Sequence, residues 1–383
     1  MKKLAIFGST GSIGTSTLNV VRKHPEKFSV SILVAGRNIS LLTDQIREFS
    51  PEHVYISDDE NAMLIREQFP GLDVYCGKQG MDEISSLTDF DTAVSALVGI
   101  AGLKPTYNII KNGKTVALAN KEVLVTGGSL VTSAAEKYNA ALVTVDSEHS
   151  AILQCLRSGR HEEIEKLILT ASGGPFFDRP ITDDITCEQA LAHPTWKMGP
   201  KITIDSSTMM NKGFEVIEAK WLFNVPPEKI QVAIHRQSIV HSMVEFCDGS
   251  IIANIAPPDM ELPIAYALDY PERLPMPQRL DIFGMKALEF SRPDLEKFKC
   301  LKIAMDAAKM PQSASVAVNG ANEVLVDAFL GNKIKFTDIP NGISEILEKH
   351  TPCDYSDVEE VLEADVQIRR RTLEYIKSLG YRR

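Results

Sequence analysis

Neither a long apolar run nor a cluster of cysteines occurs in this chain of 383 residues. No stretch approaches the roughly 18 consecutive apolar residues that a membrane-spanning helix needs, so no membrane partner is expected. The six cysteines, at positions 76, 155, 187, 247, 300 and 353, are scattered. No two of them form a C-x-x-C pair, which excludes a dense disulfide framework and points to unpaired thiols in a reducing cytoplasm. Positive charge is also in short supply: 41 Lys and Arg against 51 Asp and Glu give a formal net charge of -10. Without a basic run, nucleic acid and anionic membranes are poor partners, and any bound phosphate must be met by local groups. The opening MKKLAIF imitates a signal peptide, but LAIF is too short for its apolar segment and reads as a first strand. What is present is ordinary: 44% hydrophobic and 24% charged residues, enough for two or three domains with real cores.

The first part of the chain alternates. KLAIF, FSVSILVAG, HVYIS, DVYC, TAVSALVG, TVALAN and ALVTVD are short β-rich runs separated by helical patterns. That is the signature of βαβ units and a mostly parallel sheet. Ile13, Thr17, Leu18 and Val21 share one helical face, and Pro25 disfavours helix at His24. We therefore place an N-terminal Rossmann-like domain at 1–150, in an α/β chain. From 151 to 270 the pattern becomes α+β, with KLILTAS as one strand and QVAIHRQSIVHSMVEFCDGSIIANIA as antiparallel hairpins turning at CDGS. A long irregular insertion, PFFDRPITDDITCEQALAHPTWKMGPK, lies between them, and long ordered loops are more often functional than decorative. Prolines mark 271–298 as a linker. Residues 299–383 read as a helical C-terminal domain, with Gly331 as a helix cap.

Chemistry gathers at the strand ends. FGSTGSIG puts Gly8, Gly11 and Gly14 between the first strand and first helix. Glycines there allow a tight turn and let a pyrophosphate approach the backbone at a helix N-terminus. The second strand ends in Gly36, Arg37 and Asn38 with no acid, so the site suits the 2′-phosphate of NADPH rather than the free ribose of NADH. Two further strands end in Asn120-Lys121-Glu122 and in Asp146-Ser147-Glu148. In an open α/β sheet all four ends face one crevice. Asp146 and Glu148, two apart on extended chain, project to the same side and repel unless water, a base or a cation intervenes. Hard oxygen ligands suit Mg2+ or Mn2+. The same acids also suit a helix cap, and this stretch alone leaves both readings open.

Residues 205–215 hold Asp205, Ser206, Ser207, Thr208, Asn211, Lys212 and Glu215. Hydroxyls, an amide and a lysine are what a phosphate monoester wants, and Glu215 supplies a third carboxylate. Ser172, Gly173 and Gly174 form a second candidate phosphate loop. His193 and Trp196 sit in the irregular insertion, where a tryptophan can close over a ligand. His235, His241 and Cys155 read as core or sheet residues.

Taken together, GSTGSIG, LVAGRN, ALANKE, VDSEHSAI, TASGGPF, HPTWKMGPKITIDSSTMMNKGFEVIEA and SIVHSMVEF resemble the 1-deoxy-D-xylulose 5-phosphate reductoisomerase family. These are NADPH-dependent enzymes of the non-mevalonate isoprenoid pathway. Departures are small: Arg236 stands where IHPQ is common, and Val123 where Ser follows NKE. The resemblance implies NADPH binding by Thr10, Gly11, Ser12, Ile13, Gly36, Arg37, Asn38, Asn120, Glu122 and Gly199. It implies a divalent cation (Mg2+ or Mn2+, with Co2+ as a third candidate) on Asp146, Glu148 and Glu215. It implies a phosphorylated sugar substrate on Lys121, Ser147, Glu148, Ser172, His193, Ser206, Asn211, Lys212 and Glu215, the phosphate falling to Ser172, Ser206, Asn211 and Lys212. Lys121, Glu148 and His193 would be catalytic. It implies a homodimer and a lid around 186–200. The reaction it implies is retro-aldol cleavage and re-addition followed by reduction of the aldehyde. Another NADP-dependent sugar-phosphate or semialdehyde dehydrogenase is the alternative, but thioester chemistry needs an activated cysteine and a metal-free enzyme leaves three acids unexplained. A non-enzymatic NADPH sensor would need the glycine turn alone.

Overall fold

The computed structural model describes residues 1–193, 196 and 198–380. Among these the chain forms eleven strands and fifteen α-helices, and it divides into two compact units.

The first unit comprises 1–123, 131–150 and 259–277. Its sheet contains β1 (Lys2–Phe7), β2 (Phe28–Val34), β3 (His53–Ile56), β4 (Asp73–Cys76), β5 (Thr92–Ser95), β6 (Thr115–Leu118) and β7 (Leu142–Thr144). All pairings are parallel, in the order β4-β3-β2-β1-β5-β6-β7. All seven β-rich runs became strands, because each is short, β-branched and followed by a helix that must cross back. The crossovers are α1 (Ser12–Lys23), α2 (Ile39–Phe49), α3 (Asp59–Gln68), α4 (Gly77–Ile84), α5 (Leu103–Lys111) and α6 (Glu122–Lys137). β7 leads into α7 (Ser147–Cys155). As expected, α1 stops at His24, one residue before Pro25. Strand order reverses at β1, between β2 and β5, and such a switch point is where open α/β sheets bind ligands. Segment 259–277 belongs to this unit through the helix Glu261–Asp269, which packs on α1. Asp269 accepts from Lys2 Nζ at 3.2 Å and Lys27 Nζ at 2.6 Å. This tie joins groups more than 240 positions apart.

The second unit comprises 124–130, 151–258 and 278–380 of the described residues. Its sheet is formed by β8 (Ile164–Ala171), β9 (Ile230–Ile234), β10 (Val240–Phe246) and β11 (Ile251–Ile255), in the order β11-β10-β8-β9. Only β10–β11 is a hairpin, turning through CDGS with Gly249 at φ 84°. The expected second hairpin is absent: β9 pairs in parallel with β8, which lies between β9 and β10. Five residues, 235–239, cross that intervening strand, a span of two inter-strand spacings or about 10 Å. The helices here are α8 (Cys187–Leu191), α9 (Pro200–Ser207), α10 (Met210–Leu222), and, after the first unit's α11 (Glu261–Asp269), α12 (Lys299–Ala307), α13 (Gln312–Leu330), α14 (Asp338–Glu348) and α15 (Val358–Ser378). Sheet and helices share one apolar core, in which the Phe336 ring meets Phe176 and Phe329 edge-on, with centroids 5.1 and 5.5 Å away. Gly331 follows α13 as expected, but at φ -80° it adopts a conformation open to any residue. The left-handed turn falls on Asn332, at φ 55°.

Candidate active site

In the first unit, the glycine turn is built by close approach. A Cβ on Gly8 (φ 102°) would lie 2.5 Å from Ala96 O, beyond β5, and one on Gly14 only 2.2 Å from Gly8 O. Gln45 Nε2 donates to Ser9 O at 2.9 Å and fixes the loop. Thr10, Gly11, Ser12 and Ile13 form the N-terminus of α1, where Gly11 offers no capping side chain and the first turn holds no acid. The helix end therefore presents N–H groups and its positive dipole outward, as an anion site does. Beyond β2, Gly36 and Arg37 are exposed, while Asn38 Oδ1 caps α2 by accepting from Leu41 N at 3.2 Å. Beyond β6, Asn120 is buried and its Nδ2 donates to Gly99 O at 2.9 Å. Asn120 Oδ1 and Ser9 Oγ are buried without a hydrogen-bond partner among the described residues. Glu122 opens α6.

Beyond β7 the acid pair starts a helix, and its oxygens also lie close together. Asp146 Oδ1 accepts from Glu148 N at 3.2 Å, which is a helix cap. Yet a carboxylate oxygen of Asp146 also lies within 4.8 Å of one from Glu148, close enough to share a cation. Lys121 Nζ, nearly buried, sits 2.8 Å from Asp146 Oδ2 and offsets its charge. Ser147 Oγ donates to Glu148 Oε2 at 2.6 Å. His149, wholly buried, brings Nδ1 to 3.8 Å from Asp146 Oδ1. Its place one turn after the acid was the only sequence signal for this contact.

In the second unit, β8 ends in Ser172-Gly173-Gly174. Both glycines are left-handed, at φ 78° and 66°, and a Cβ on Gly174 would come within 2.7 Å of Ser206 O. The two candidate phosphate segments are thus in backbone contact. His193 Nε2 is 3.2 Å from Ser172 Oγ, and His193 Nδ1 accepts from Trp196 N at 2.9 Å. With Nδ1 an acceptor, the neutral ring carries its proton on Nε2 and donates to the serine. Burial pushes His193 below the ordinary histidine range, which favours that neutral form. Pro194, Thr195 and Lys197, part of the expected lid, lie outside the described residues. Gly199 caps α9, and a Cβ there would meet nothing within 4 Å. Met209, at φ 59°, turns the chain from α9 into α10. There Asn211 Nδ2 donates to Glu215 Oε1 at 2.7 Å, and Lys212 Nζ pairs with the other oxygen of this buried acid. Amide and ammonium thus already face an anion.

The other sequence readings are met plainly. Cys155 is buried and its thiol is pushed up to about 11 by desolvation, so it is inert. His235 stacks on Phe290 at 4.7 Å, and His241 lies buried in β10.

Residues 4–128 match the family model of 1-deoxy-D-xylulose 5-phosphate reductoisomerase, 142–223 that of its C-terminal domain, and 255–371 that of the DXP reductoisomerase C-terminal domain. A 1-deoxy-D-xylulose 5-phosphate reductoisomerase from Geobacillus sp. (strain WCH70) is 46% identical, over 99% of this chain and 100% of its own. The chain belongs to the 1-deoxy-D-xylulose 5-phosphate reductoisomerase family. A second reductoisomerase, from Caldanaerobacter subterraneus subsp. tengcongensis, is 49% identical over 97% of this chain and 99% of its own. A crystal structure of DOX-P reductoisomerase in complex with NADPH, fosmidomycin and magnesium matches with a TM-score of 0.95 at 40% identity, covering 99% of each chain. Within the polar segment 205–215, Asp205 has partners of its own. It is 1% exposed and pairs with Lys201 and Asn322. An acid four residues after a lysine signals the first contact, but nothing in the sequence signals the second.

Proposed function

We propose that this chain converts 1-deoxy-D-xylulose 5-phosphate to 2-C-methyl-D-erythritol 4-phosphate, using NADPH and a divalent cation. The observation that carries this is family identity over the whole length, 46% across 99% of the chain. The residues fit the cofactors. The glycine cradle, the bare N-terminus of α1 and the orphaned Asn120 Oδ1 suit a dinucleotide. Thr10, Gly11, Ser12, Ile13, Gly36, Arg37, Asn38, Asn120, Glu122 and Gly199 are the residues we assign to NADPH. Asp146 and Glu215, each held against a lysine, offer hard oxygens whose charge a cation would neutralise in the lysine's place. With Glu148 they are our ligand set, Mg2+ or Mn2+ the ion.

When bound, the cation supplies Lewis acidity to the substrate's carbonyl and hydroxyl oxygens, and NADPH supplies a hydride. The side chains do the rest. Ser172, Ser206, Asn211 and Lys212 take the phosphate, anchoring the substrate away from its reacting carbons, so that binding energy orients it. Ser147 and neutral His193 donate hydrogen bonds to substrate oxygens. We assign proton transfer to Lys121 Nζ and the Glu148 carboxylate. The six free cysteines support a reducing cytoplasm. The exposed apolar edge of β11 supports a homodimer, Ile251 being 51% and Ile255 42% exposed.

The test is oxidation of NADPH on addition of 1-deoxy-D-xylulose 5-phosphate. We expect turnover that EDTA abolishes and that Mg2+ or Mn2+ restores. Turnover indifferent to EDTA, or none with fresh metal, overturns the reading.

A further inference from the structure

The acidic side chain that precedes Ser206 is held from across the second unit. Asp205, in the last turn of α9, is 1% exposed, and burying a carboxylate is costly unless both oxygens are met. Lys201 Nζ meets Oδ2 at 2.8 Å from one turn earlier in α9. Asn322 Nδ2 meets Oδ1 at 2.8 Å from α13, 117 positions away.

Asn322 is the informative partner. It is 0% exposed, and its Oδ1 has no hydrogen-bond partner among the described residues. The amide cannot be turned round to satisfy that oxygen, because the oxygen would then face the Asp205 carboxylate. An orphaned buried acceptor costs stability that a leucine of similar volume would not. The side chain is therefore kept for its N–H2 donor. What that donor holds is the end of α9, from which the chain turns through Met209 into α10. Met209 N donates to Ser206 O at 3.1 Å and Thr208 N to Ile204 O at 3.0 Å, so the turn is rigid once Asp205 is fixed. The same Ser206 carbonyl faces Gly174 of the other phosphate segment.

We propose that Asn322 is a positioning residue for phosphate recognition: through Asp205 it orients Ser206 against the Ser172–Gly174 turn. It touches neither substrate nor cofactor. The inference rests on the phosphate assignment made above, and it makes the C-terminal helices part of substrate selection.

The test uses the full-length protein and the variant Asn322→Leu, which fills the space and removes the donor. Inorganic phosphate is titrated calorimetrically, NADPH in parallel, and steady-state kinetics follow with Mg2+. We expect phosphate Kd and substrate KM to rise together by about tenfold or more, the loss of a hydrogen bond to a charged group. NADPH Kd should stay within about twofold and kcat should change less than KM. Unaltered phosphate Kd and KM in the folded variant overturn the proposal, as does an equal loss of phosphate and NADPH affinity. If Asn322→Leu does not fold, Asn322→Ala carries the same expectations and the same overturning results. Wild-type protein that binds phosphate but does not turn over the substrate would overturn the activity, while the phosphate comparison would still decide the role of Asn322.

Discussion

Asp146 caps α7, we propose that it also ligates the cation, and one substitution separates the two. Asparagine caps a helix about as well as aspartate, so Asp146→Asn keeps the bond from Glu148 N and removes the charge. We expect Tm within a few degrees of wild type and kcat/KM lower by about a hundredfold or more, as for a lost cation ligand. A variant that melts far lower yet turns over normally while folded would make Asp146 a cap alone. Arg37 is exposed beyond β2, where a 2′-phosphate would lie. Arg37→Asp replaces attraction by repulsion and should weaken NADPH by about tenfold or more, leaving NADH nearly unaltered. An unaltered NADPH/NADH preference in titrations of both would rule the assignment out.

Helix contacts explain a glycine that the motif MMNKGFE leaves mute. A Cβ on Gly213 would lie 2.4 Å from Ala304 Cβ, where α10 crosses α12. Alanine is the better helix former by about 1 kcal/mol, so propensity favours Gly213→Ala. The clash opposes it, and Ala304 Cβ is too rigid to swing aside, so α10 must shift. Overpacking of this kind costs about 1–3 kcal/mol, and we expect a net loss of up to about 2 kcal/mol in urea unfolding. Adding Ala304→Gly should recover part of it, since touching residues do not act additively. Two independent, additive losses would refute the contact. Strand pairing carries the same lesson. β9 and β10 look like a hairpin because only five residues separate them, yet β8 lies between. Loop length bounds how far two strands can stand apart, but not which strand fills the gap.

Assembly is tested on the edge of the second sheet. β11 reads IIANI, carries no charge, and leaves one side of its backbone ladder without a strand among the described residues. Such an edge invites pairing with another chain. We expect light scattering to give twice the chain's 42.3 kDa, and Ile251→Lys with Ile255→Lys to shift the protein towards monomer. A monomeric wild type would refute the proposed dimer, and a dimer indifferent to both lysines would move its interface elsewhere.

Much of this protein is local. Short β-branched runs, glycines at a strand–helix join, a proline after a helix and a DG turn all act within a few residues, so the parallel sheet, the tight glycine turn and the order of the helices were legible along the chain. So were the chemical types needed for a cation and a phosphate, because hard acids, hydroxyls and lysines advertise themselves by kind. Partners chosen by packing were not. Lys27 meets Asp269, Asn322 meets Asp205, Gly174 meets Ser206 and Gly213 meets Ala304 only because apolar faces far apart in sequence close on one another. Periodicity tells a residue that it will be buried, whereas the identity of the group waiting there depends on how whole elements dock. That docking also set a buried asparagine, silent in sequence, against Asp205 at the end of α9.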